Sequence, residues 1–247
     1  MISGAASGFG RLAAEKFAAE GALLSLSDID SVGLTEIPDM LPNALISHVN
    51  VAEEADHARW VAETLDRFGK LDVALNNAGV GSPMAPIAET PVAEFDRMMA
   101  VNARGVFLGL KHQIPAMRAN GGGAILNTAS AAGILGAGHL SAYAAAKHAV
   151  VGLTRAAADE VARYNIRVNA ICPSFASTPL FDEMADQVAD ARGEDRDAAY
   201  GRIASRVPMR RVASAEEVVT VMVSLCDPAN TFMTGQAIPV DGGLSAI

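Results

Sequence analysis

Several features are scarce or missing in this sequence, and each absence excludes a class of protein. Only two of the 247 residues are cysteine, Cys172 and Cys226; both have apolar neighbours, which favours buried free thiols over a disulfide framework. Acidic residues outnumber basic ones by 28 to 19, and the net charge of −9 argues against a nucleic-acid or anionic-membrane surface. No apolar run reaches the ~20 residues of a membrane span. No signal-peptide pattern opens the chain, so a cytoplasmic protein is expected.

Metal-binding spacing is also missing. The five histidines are scattered and the two cysteines lie far apart, so no metal site is predicted. His139 precedes a helical pattern and could line a pocket, but a surface-loop histidine is the preferred interpretation. Aromatic residues make up only 5% of the chain, whereas hydrophobic residues reach 51%. That composition argues against disorder and suits helices packed closely on a sheet.

What the sequence does contain is a regular alternation of apolar runs and helical patterns. Strands are predicted at residues 22–28, 44–51, 71–75, 124–128, 166–171 and 237–240. The alternation predicts an α/β fold with a doubly wound, mainly parallel sheet and helices on both faces. Cys172-Pro173 is expected to break the fifth of these strands. With no linker or repeat, one domain over 1–247 is predicted, in which the helical segment 180–206 forms a small substrate lid or, alternatively, a solvated helix pair.

A glycine-rich segment near the start carries a nucleotide-binding pattern. Gly4, Gly8 and Gly10 form G-x-x-x-G-x-G ahead of a helical pattern, and such glycines let the backbone approach a pyrophosphate at a helix N-terminus. Asp28 ends the next predicted strand, where a carboxylate can bind a ribose 2′-hydroxyl; the alternative is an ordinary loop-start aspartate. Only three residues precede the glycines, so the first strand is expected to be very short or to begin before the given sequence.

The stretch from Ser130 to Lys147 carries the candidate chemistry. Tyr143 and Lys147 are four residues apart on a predicted helix, so both side chains leave the same face. A nearby ammonium group lowers the pKa of a phenol from its ordinary ~10, which allows acid–base work. Ser130 would offer a hydroxyl to a substrate oxygen, and Ser141 is predicted to cap the helix. Taken alone, the Tyr143–Lys147 pair is more often an ordinary helix contact.

Two further polar positions stand out. Asn102 lies inside a long apolar helical region, an awkward place for an amide. Because a buried amide needs partners, we expect Asn102 either to satisfy backbone groups or to serve a site. The run Asn76-Asn77-Ala78-Gly79 follows a predicted strand, and its small polar loop could let a cofactor approach the backbone or could be a plain turn.

Together these motifs resemble those of the short-chain dehydrogenase/reductase family over essentially the whole chain. The matching segments are Ser3-Gly4-x-x-x-Gly8-x-Gly10, Asn76-Asn77-Ala78-Gly79, Asn102, Ser130, Tyr143-x-x-x-Lys147, and Pro173 with Thr178-Pro179. The resemblance implies a Rossmann-like fold, hydride transfer between a secondary alcohol and a nicotinamide, and a homotetramer in which long helices pair. It implies four catalytic residues: Tyr143 as general acid/base, Lys147 lowering its pKa and holding the nicotinamide ribose, Ser130 orienting the substrate oxygen, and Asn102 supporting a water-linked proton path.

The implied cofactor is NAD. Asp28 would bind the free ribose hydroxyls and repel a 2′-phosphate, and no arginine precedes Gly10 in the loop. Two positions depart from the family pattern: Asn50 stands in place of an adenine-contacting aspartate, and Ser174 replaces the glycine after Pro173. Cofactor contacts are implied for Gly4, Ser7, Gly8, Phe9, Gly10, Asp28, Asn50, Val51, Asn77, Ala78, Gly79, Tyr143, Lys147, Pro173 and Thr178.

The implied substrate is small, apolar and cyclic. Apolar residues surround the implied site: Ile134, Leu135, Leu140, Phe175, Leu180 and Phe181. The segments 127–133 and 241–247 are similar to those of family members that oxidise cyclic alcohols or diols. Two alternatives stay open. A 3-oxoacyl carrier-protein reductase using NADPH is disfavoured by Asp28 and the net negative charge, and a non-catalytic dinucleotide-binding redox sensor is disfavoured by the intact catalytic set.

Overall fold

Seven short apolar segments form one parallel sheet in the computed structural model of this chain, which describes residues 1–246. The strands are β1 (Ile2–Ser3), β2 (Ser25–Asp28), β3 (Leu45–His48), β4 (Val73–Asn76), β5 (Gly123–Thr128), β6 (Ile166–Pro173) and β7 (Ala237–Val240). They lie in the order β3-β2-β1-β4-β5-β6-β7, and each neighbouring pair is parallel. The order reverses between β1 and β4, which is where such sheets bind ligands. The predicted doubly wound sheet is confirmed; Ile247, the last residue of the predicted domain, lies outside the described residues.

Helices connect the strands and cover both faces of the sheet. They are α1 (Gly8–Ala19), α2 (Ser31–Thr35), α3 (Ile37–Met40), α4 (Glu54–Phe68), α5 (Val92–Met98), α6 (Gly105–Ala119), α7 (Ser141–Val161), α8 (Pro179–Arg192), α9 (Arg196–Ala204) and α10 (Ala215–Cys226). One wide π-helical turn, Met99–Arg104, joins α5 to α6 without a break. α10 begins with a capping box, in which Ser214 and Glu217 exchange hydrogen bonds.

The core is split into two layers by the sheet. Successive strand residues point to opposite faces, so Ile125 packs with α4, α6 and α7, whereas Leu126 packs with α1 and α10. Both faces are therefore apolar, which explains why the central strands are almost continuously hydrophobic. Cys172 belongs to the first layer and Cys226 to the second, and both are buried free thiols, as predicted.

Several strand boundaries differ from the sequence-based prediction: the strand predicted at 44–51 is Leu45–His48, and the strand predicted at 71–75 is Val73–Asn76. β2 begins at Ser25 rather than at 22, since residues 21–23 are exposed. The predicted break at Cys172-Pro173 is wrong, because β6 continues through Pro173. The last hydrogen bond from β5's side goes from the Ala129 N–H to the Ile171 carbonyl. The Pro173 nitrogen lies beyond that point, so its missing N–H costs no ladder hydrogen bond.

Residues 179–204 form a helical hairpin, α8 and α9, with a small core of its own. The rings of Phe181 and Tyr200 meet edge to face with centroids 4.6 Å apart, and Phe175 lies 6.0 Å from Phe181. The Tyr200 hydroxyl donates to the Asp182 carboxylate. These contacts join the two helices into one unit.

Residues 1–246 contain neither a membrane-spanning helix nor a cluster of metal ligands. None of the helices combines the length and apolar character needed to cross a bilayer. No three His, Cys, Asp or Glu side chains among these residues are grouped so that they could hold a metal ion. His139, the histidine singled out above, lies exposed in a loop with a φ of 64°.

Candidate active site

The loop after β1 and the loop after β4 are fastened together at the carboxyl ends of these strands. The Ser3 hydroxyl oxygen accepts from the backbone N–H groups of Asn77 (3.0 Å) and Ala78 (3.1 Å). In return the Asn77 side-chain amide donates to the carbonyls of Ser3 (3.1 Å) and Gly4 (3.3 Å). The amide of Asn77 is therefore committed to holding the glycine loop, defined here as Gly4–Gly10.

The glycine loop leaves no room for side chains on its inner side. A Cβ at Gly10 would lie 1.9 Å from the Gly4 carbonyl oxygen, and one at Gly4 would lie 2.8 Å from the Ala78 Cα. Gly4 also has a φ of 68°, which disfavours other residues. A Cβ at Gly8 would instead face Thr178 across 3.9 Å. The loop thus presents bare backbone, with Thr178 beside it.

The N-terminus of α1 lies at this backbone surface. α1 begins at Gly8, and Ser7 before it makes no side-chain capping hydrogen bond. The amides of this turn consequently receive no acceptor from the cap residue. A helix N-terminus next to bare glycine backbone suits a pyrophosphate, so the residues present fit a dinucleotide. The Phe9 side chain packs against the α1–α10 layer, so only its backbone is free for such a contact.

Asp28 lies beside the glycine loop at the end of β2. One carboxylate oxygen accepts from the Ala6 N–H (2.9 Å) and the other from the Asp30 N–H (3.0 Å). Each oxygen retains a second lone pair. The side chain is half-buried, so it is fixed by the backbone yet still open to a ligand hydroxyl.

Asn50 and Val51 follow β3 on the neighbouring side. The Asn50 side-chain oxygen accepts from the Ala52 N–H (3.1 Å), and its backbone N–H donates to the Asp56 carboxylate (2.8 Å). That backbone hydrogen bond is the main reason why the pKa of Asp56 lies below its usual range. The amide of Asn50 thus closes a local turn, and Asp56 holds that turn in place. The Val51 carbonyl accepts a hydrogen bond from the His57 ring (2.9 Å) if that nitrogen carries the proton.

Tyr143 and Lys147 lie one turn apart on α7, as predicted. Lys147 is buried, its Nζ lies 5.6 Å from the centre of the Tyr143 ring, and it donates to the Thr128 carbonyl (2.8 Å). Burial lowers the pKa of Lys147 to about 8. The predicted capping by Ser141 is wrong: α7 starts at Ser141, and Leu140 occupies the cap position without a side-chain hydrogen bond.

The pKa of Tyr143 moves in the direction opposite to the prediction. Burial raises the pKa, because a phenolate would lose its water, and the nearby Ser130 side chain only partly lowers it. Burial is the larger of these two effects. Ser130 accepts from the Ala132 N–H (3.1 Å), which fixes its hydroxyl oxygen at the end of β5 next to Tyr143.

Asn102 occupies the wide turn between α5 and α6 and is completely buried. Its amide exchanges two hydrogen bonds with the backbone of Val80, each 2.9 Å long. Of the two alternatives predicted for Asn102, the structure shows the first: its amide satisfies backbone groups. A Cβ on Gly79 would lie 2.9 Å from the Asn102 oxygen and 3.4 Å from the Lys147 Nζ. The Asn102 oxygen and the Lys147 Nζ thus both lie next to Gly79, on the side where a Cβ would point.

The helical hairpin and the loop before α7 both contact the loop after β4. Leu180 of α8 packs against Gly81, and the Gln187 side chain accepts from the Met84 N–H (2.7 Å). The Ala85 N–H donates to the His139 carbonyl (2.9 Å), which joins the loop after β4 to the loop before α7. Leu180 and Met84 are each 39% exposed, so the border between the hairpin and the loop after β4 is apolar and open.

Comparison with known proteins agrees with this geometry. A family model described as "Enoyl-(Acyl carrier protein) reductase" matches residues 4–245. Levodione reductase from Leifsonia aquatica is 40% identical over all of this chain and 93% of its own length. The chain belongs to the short-chain dehydrogenase/reductase family, and it is an oxidoreductase. A second relative, 2,5-dichloro-2,5-cyclohexadiene-1,4-diol dehydrogenase from Sphingobium indicum, is 37% identical over all of this chain and 96% of its own length.

Solved structures of short-chain dehydrogenases superpose on nearly the whole chain. The crystal structure of levodione reductase has a TM-score of 0.94 at 39% identity, covering 99% of this chain and 96% of that one. A 3-ketoacyl-(acyl-carrier-protein) reductase from Brucella melitensis, complexed with NADH, gives 0.88 at 33% identity with the same coverage. ElxO with bound NADP gives 0.90 at 26% identity, covering 100% and 98%. This chain thus shares a family that binds nicotinamide dinucleotides.

Most residues predicted for this dehydrogenase meet at one edge of the sheet, although some lie elsewhere. The carboxyl ends of the central strands bring together the glycine loop, Asn77–Gly79, Asn102, Ser130, Tyr143, Lys147, Pro173 and Thr178. Ile134, Leu135 and Leu140 are half-buried between β5 and α7. Phe181, which was expected to surround the site, is only 5% exposed and packs inside the helical hairpin, and the half-buried Phe175 packs against the same cluster.

Sequence reasoning missed several residues that hold this site together. Thr128 supplies the carbonyl for Lys147, and Gln187 joins the hairpin to Met84. No local sequence pattern marks either residue, because Thr128 lies 19 residues from Lys147 and Gln187 lies 103 residues from Met84. The position of Thr128 at the end of the strand before Ser130 is the one sequence feature that could have indicated it.

Proposed function

We propose that this chain interconverts a secondary alcohol and its ketone with NAD, and that its substrate is cyclic. The observation that carries the proposal is the grouping of Tyr143, Ser130 and buried Lys147 beside a backbone surface that only glycine can form. A non-catalytic sensor would not need this grouping. The names of the two curated relatives, which concern a cyclic dione and a cyclic diol, support the cyclic substrate.

The catalytic side chains divide the work of moving one proton. In alcohol oxidation the Tyr143 oxygen takes the hydroxyl proton while Ser130 hydrogen-bonds the same substrate oxygen. Lys147, held by the Thr128 carbonyl, favours the phenolate that forms. Asn102, whose oxygen lies next to Gly79 as the Lys147 Nζ does, supports a water-linked path for the proton. A bound nicotinamide supplies the hydride acceptor, and ketone reduction reverses every step.

The dinucleotide would lie along the edge that carries these residues. The glycine loop and Thr178 would hold the pyrophosphate, Asp28 the adenosine ribose, and Asn50 and Val51 the adenine. Ala78 and Gly79 would border the nicotinamide half together with Pro173 and the Lys147 ammonium group. These roles remain predictions; they are supported by the spacing of the residues along the sheet edge.

We also propose that the helical hairpin, with the following residues to 206, acts as the substrate lid of this single domain. Its contacts with the loop after β4 include the apolar contact of Leu180 with Gly81 and the hydrogen bond from the Met84 N–H to the Gln187 side chain. An apolar contact and a single side-chain hydrogen bond can break and re-form within a catalytic cycle. The apolar residues exposed at this border match a substrate with a hydrocarbon ring.

A panel of alcohols tests the activity. We expect absorbance of the reduced cofactor to appear with NAD and cyclohexanol or a ring-substituted cyclohexanol, and more slowly with acyclic 2-alkanols. Primary alcohols of similar size serve as the matched comparison. Reduction of a 3-oxoacyl thioester with NADPH at a higher kcat/KM than any cyclic ketone would favour the carrier-protein reductase instead. Turnover of no substrate with either cofactor would contradict the proposal.

NAD is expected to be preferred because Asp28 meets the adenosine ribose. A 2′-phosphate would face the Asp28 carboxylate, and the nearby Arg11 is already paired with Glu36 (2.9 Å). Asp28→Asn keeps a hydrogen-bonding side chain without the charge, and it should narrow the NAD/NADP ratio of kcat/KM about tenfold, equivalent to ~1.4 kcal/mol. The exposed Asp66→Asn is the matched control. A wild-type enzyme with a higher kcat/KM for NADPH than for NADH would overturn the assignment.

A homotetramer in the cytoplasm is the proposed state of the protein. Exposed apolar side chains on α5 and α6 support an interface there, since Val92, Phe95 and Phe107 are 76%, 43% and 47% exposed. The two buried free thiols agree with a reducing compartment. Light scattering should give four times the chain mass of 25.5 kDa. A stable monomer at micromolar concentration would refute the tetramer.

A further inference from the structure

A chain of four buried polar side chains runs through the core beneath the site. It consists of Asn76 on β4, Gln113 on α6, Asn127 on β5 and Thr154 on α7, and each is at most 4% exposed. We call these four residues the buried amide chain. It lies in the layer of the core that α4, α6 and α7 cover, among aliphatic side chains.

Hydrogen bonds connect every member of the buried amide chain. The Asn76 and Gln113 amides exchange two hydrogen bonds (3.0 and 2.8 Å), and the Asn76 Nδ2 also donates to the Asn127 Oδ1 (2.9 Å). The Asn127 Nδ2 donates to the Thr154 Oγ1 (2.9 Å), which donates to the Val150 carbonyl (2.8 Å). Two helices and two strands are thereby joined through side chains alone.

Such a buried chain of hydrogen bonds fixes the position of helices on the sheet more than it increases the stability of the fold. A well-packed aliphatic core of the same volume would avoid the desolvation of three amides and a hydroxyl. Hydrogen bonds between amides, however, hold only over a narrow range of distance and angle. A helix that slid along the sheet by an ångström would leave buried donors without acceptors. The buried amide chain therefore fixes the height of α6 and α7 on the sheet.

α7 carries Tyr143 and Lys147, and α6 continues from the wide turn that carries Asn102. Thr154 follows Lys147 by seven residues, or two turns, and so lies below it on the same face of α7. Gln113 lies on α6, 11 residues after Asn102. Asn127 directly precedes Thr128, whose carbonyl holds the Lys147 ammonium group.

Gly109 provides a second, independent sign that α6 must pack closely against β4 at the buried amide chain. It lies inside α6, where glycine lowers helix stability relative to alanine. A Cβ at this position would meet the Asn76 Oδ1 at 2.5 Å. Glycine thus allows α6 to approach β4 closely enough for Gln113 to reach Asn76.

We propose that the buried amide chain positions Tyr143, Lys147 and Asn102 for the reaction, with Thr154 and Gln113 as positioning residues. The inference rests on the proposed alcohol dehydrogenase activity. The inference goes beyond that activity, because it gives a catalytic consequence to residues that touch neither substrate nor cofactor.

Thr154→Val tests the inference, because it keeps the shape of the side chain and removes the hydroxyl. We expect kcat for alcohol oxidation to fall about tenfold to a hundredfold, the range typical of an ångström-scale misplacement, with KM for NAD changed by less than about twofold. The pKa seen in the pH profile of kcat should move upward, because Lys147 would stabilise the Tyr143 phenolate less well. Thr154→Ser should restore both kcat and the profile.

Thr64→Val is the matched control. Thr64 lies inside α4, donates to the carbonyl four residues earlier (2.7 Å), and pairs with the Ser25 hydroxyl (2.7 Å), as Thr154 does with Asn127. Its loss removes a comparable buried hydrogen bond from a helix without catalytic residues. Thermal stability should fall for both valine variants, but only Thr154→Val should change kcat and the pH profile.

Several outcomes would overturn the inference. A folded Thr154→Val enzyme with wild-type kcat and pH profile would reduce the buried amide chain to a structural role, as would equal changes in the Thr64 control. If Thr154→Val does not fold, Gln113→Met tests the α6 end, and unchanged kcat there has the same meaning. Either result leaves the proposed activity intact if Tyr143→Phe abolishes turnover; if Tyr143→Phe does not, the proposed activity itself fails.

Discussion

Replacing Tyr143 by phenylalanine is expected to lower kcat for alcohol oxidation by about 10³-fold, while the enzyme stays folded and still binds NADH. General acid–base catalysis by one positioned group contributes roughly 10²–10⁴-fold, and Tyr143 is the ionisable group next to the Ser130 side chain. The ring itself remains, so packing against Ala142 and Ala146 is largely kept. Initial rates and a fluorescence titration with NADH separate the two effects.

Tyr164→Phe is the control for this experiment. Tyr164 lies in the turn after α7, where Arg118 and Arg163 stack on its ring, and its substitution should leave kcat unchanged. Because burial raises the pKa of Tyr143, oxidation by the wild type should accelerate as pH rises and the phenol loses its proton. Ketone reduction needs the protonated phenol and should slow over the same range. Turnover by Tyr143→Phe within a few fold of wild type would remove Tyr143 from the mechanism.

Gly10→Ala is expected to abolish cofactor binding and to destabilise the fold by more than about 3 kcal/mol, beyond the usual cost of overpacking. The new Cβ would lie 1.9 Å from the Gly4 carbonyl oxygen and 2.7 Å from the Asn77 Nδ2. The carbonyl cannot simply move aside, since it also accepts from Asn77. Urea unfolding and NADH titration measure the two losses.

Gly201→Ala is the matched glycine substitution. Gly201 lies inside α9, and a Cβ there would have no heavy atom within 4 Å. We therefore expect a gain of about 0.5–1 kcal/mol from the better helix propensity of alanine. If Gly10→Ala kept wild-type stability and NADH affinity, the glycine loop could not pack against the loop after β4 as closely as the structure shows.

The parts of this molecule that sequence could predict are those governed by local patterns. The period of apolar residues indicated the strands and helices, and the glycine spacing with Asp28 indicated one edge of the sheet. Tyr143 and Lys147 could be related because helical geometry alone brings residues four apart together. Ser130 and Asn102 also stood out in the sequence, but only the resemblance to a family gave Asn102 a catalytic role and assigned Thr178 to the cofactor.

The parts that could not be predicted depend on distant partners. Ser141 satisfies every local rule for a cap, yet the helix already includes it and begins after Leu140. Pro173 looks like a strand breaker until the end of β5 is known. The pKa of Tyr143 depends on how deeply the whole fold buries it, and the buried amide chain joins residues 27 to 51 positions apart.

The outer strand of the sheet also bears on how the protein behaves at high concentration. The carbonyls of Gln236 and Val240 accept hydrogen bonds from β6 (2.8 and 3.2 Å), so Pro239, one position away, directs its nitrogen to the open side. An incoming strand from another molecule would find no donor at the middle of this border. Pro239 thereby discourages the strand-to-strand stacking from which aggregates grow, and a substitution such as Pro239→Val should make concentrated solutions more prone to fibrillar precipitation.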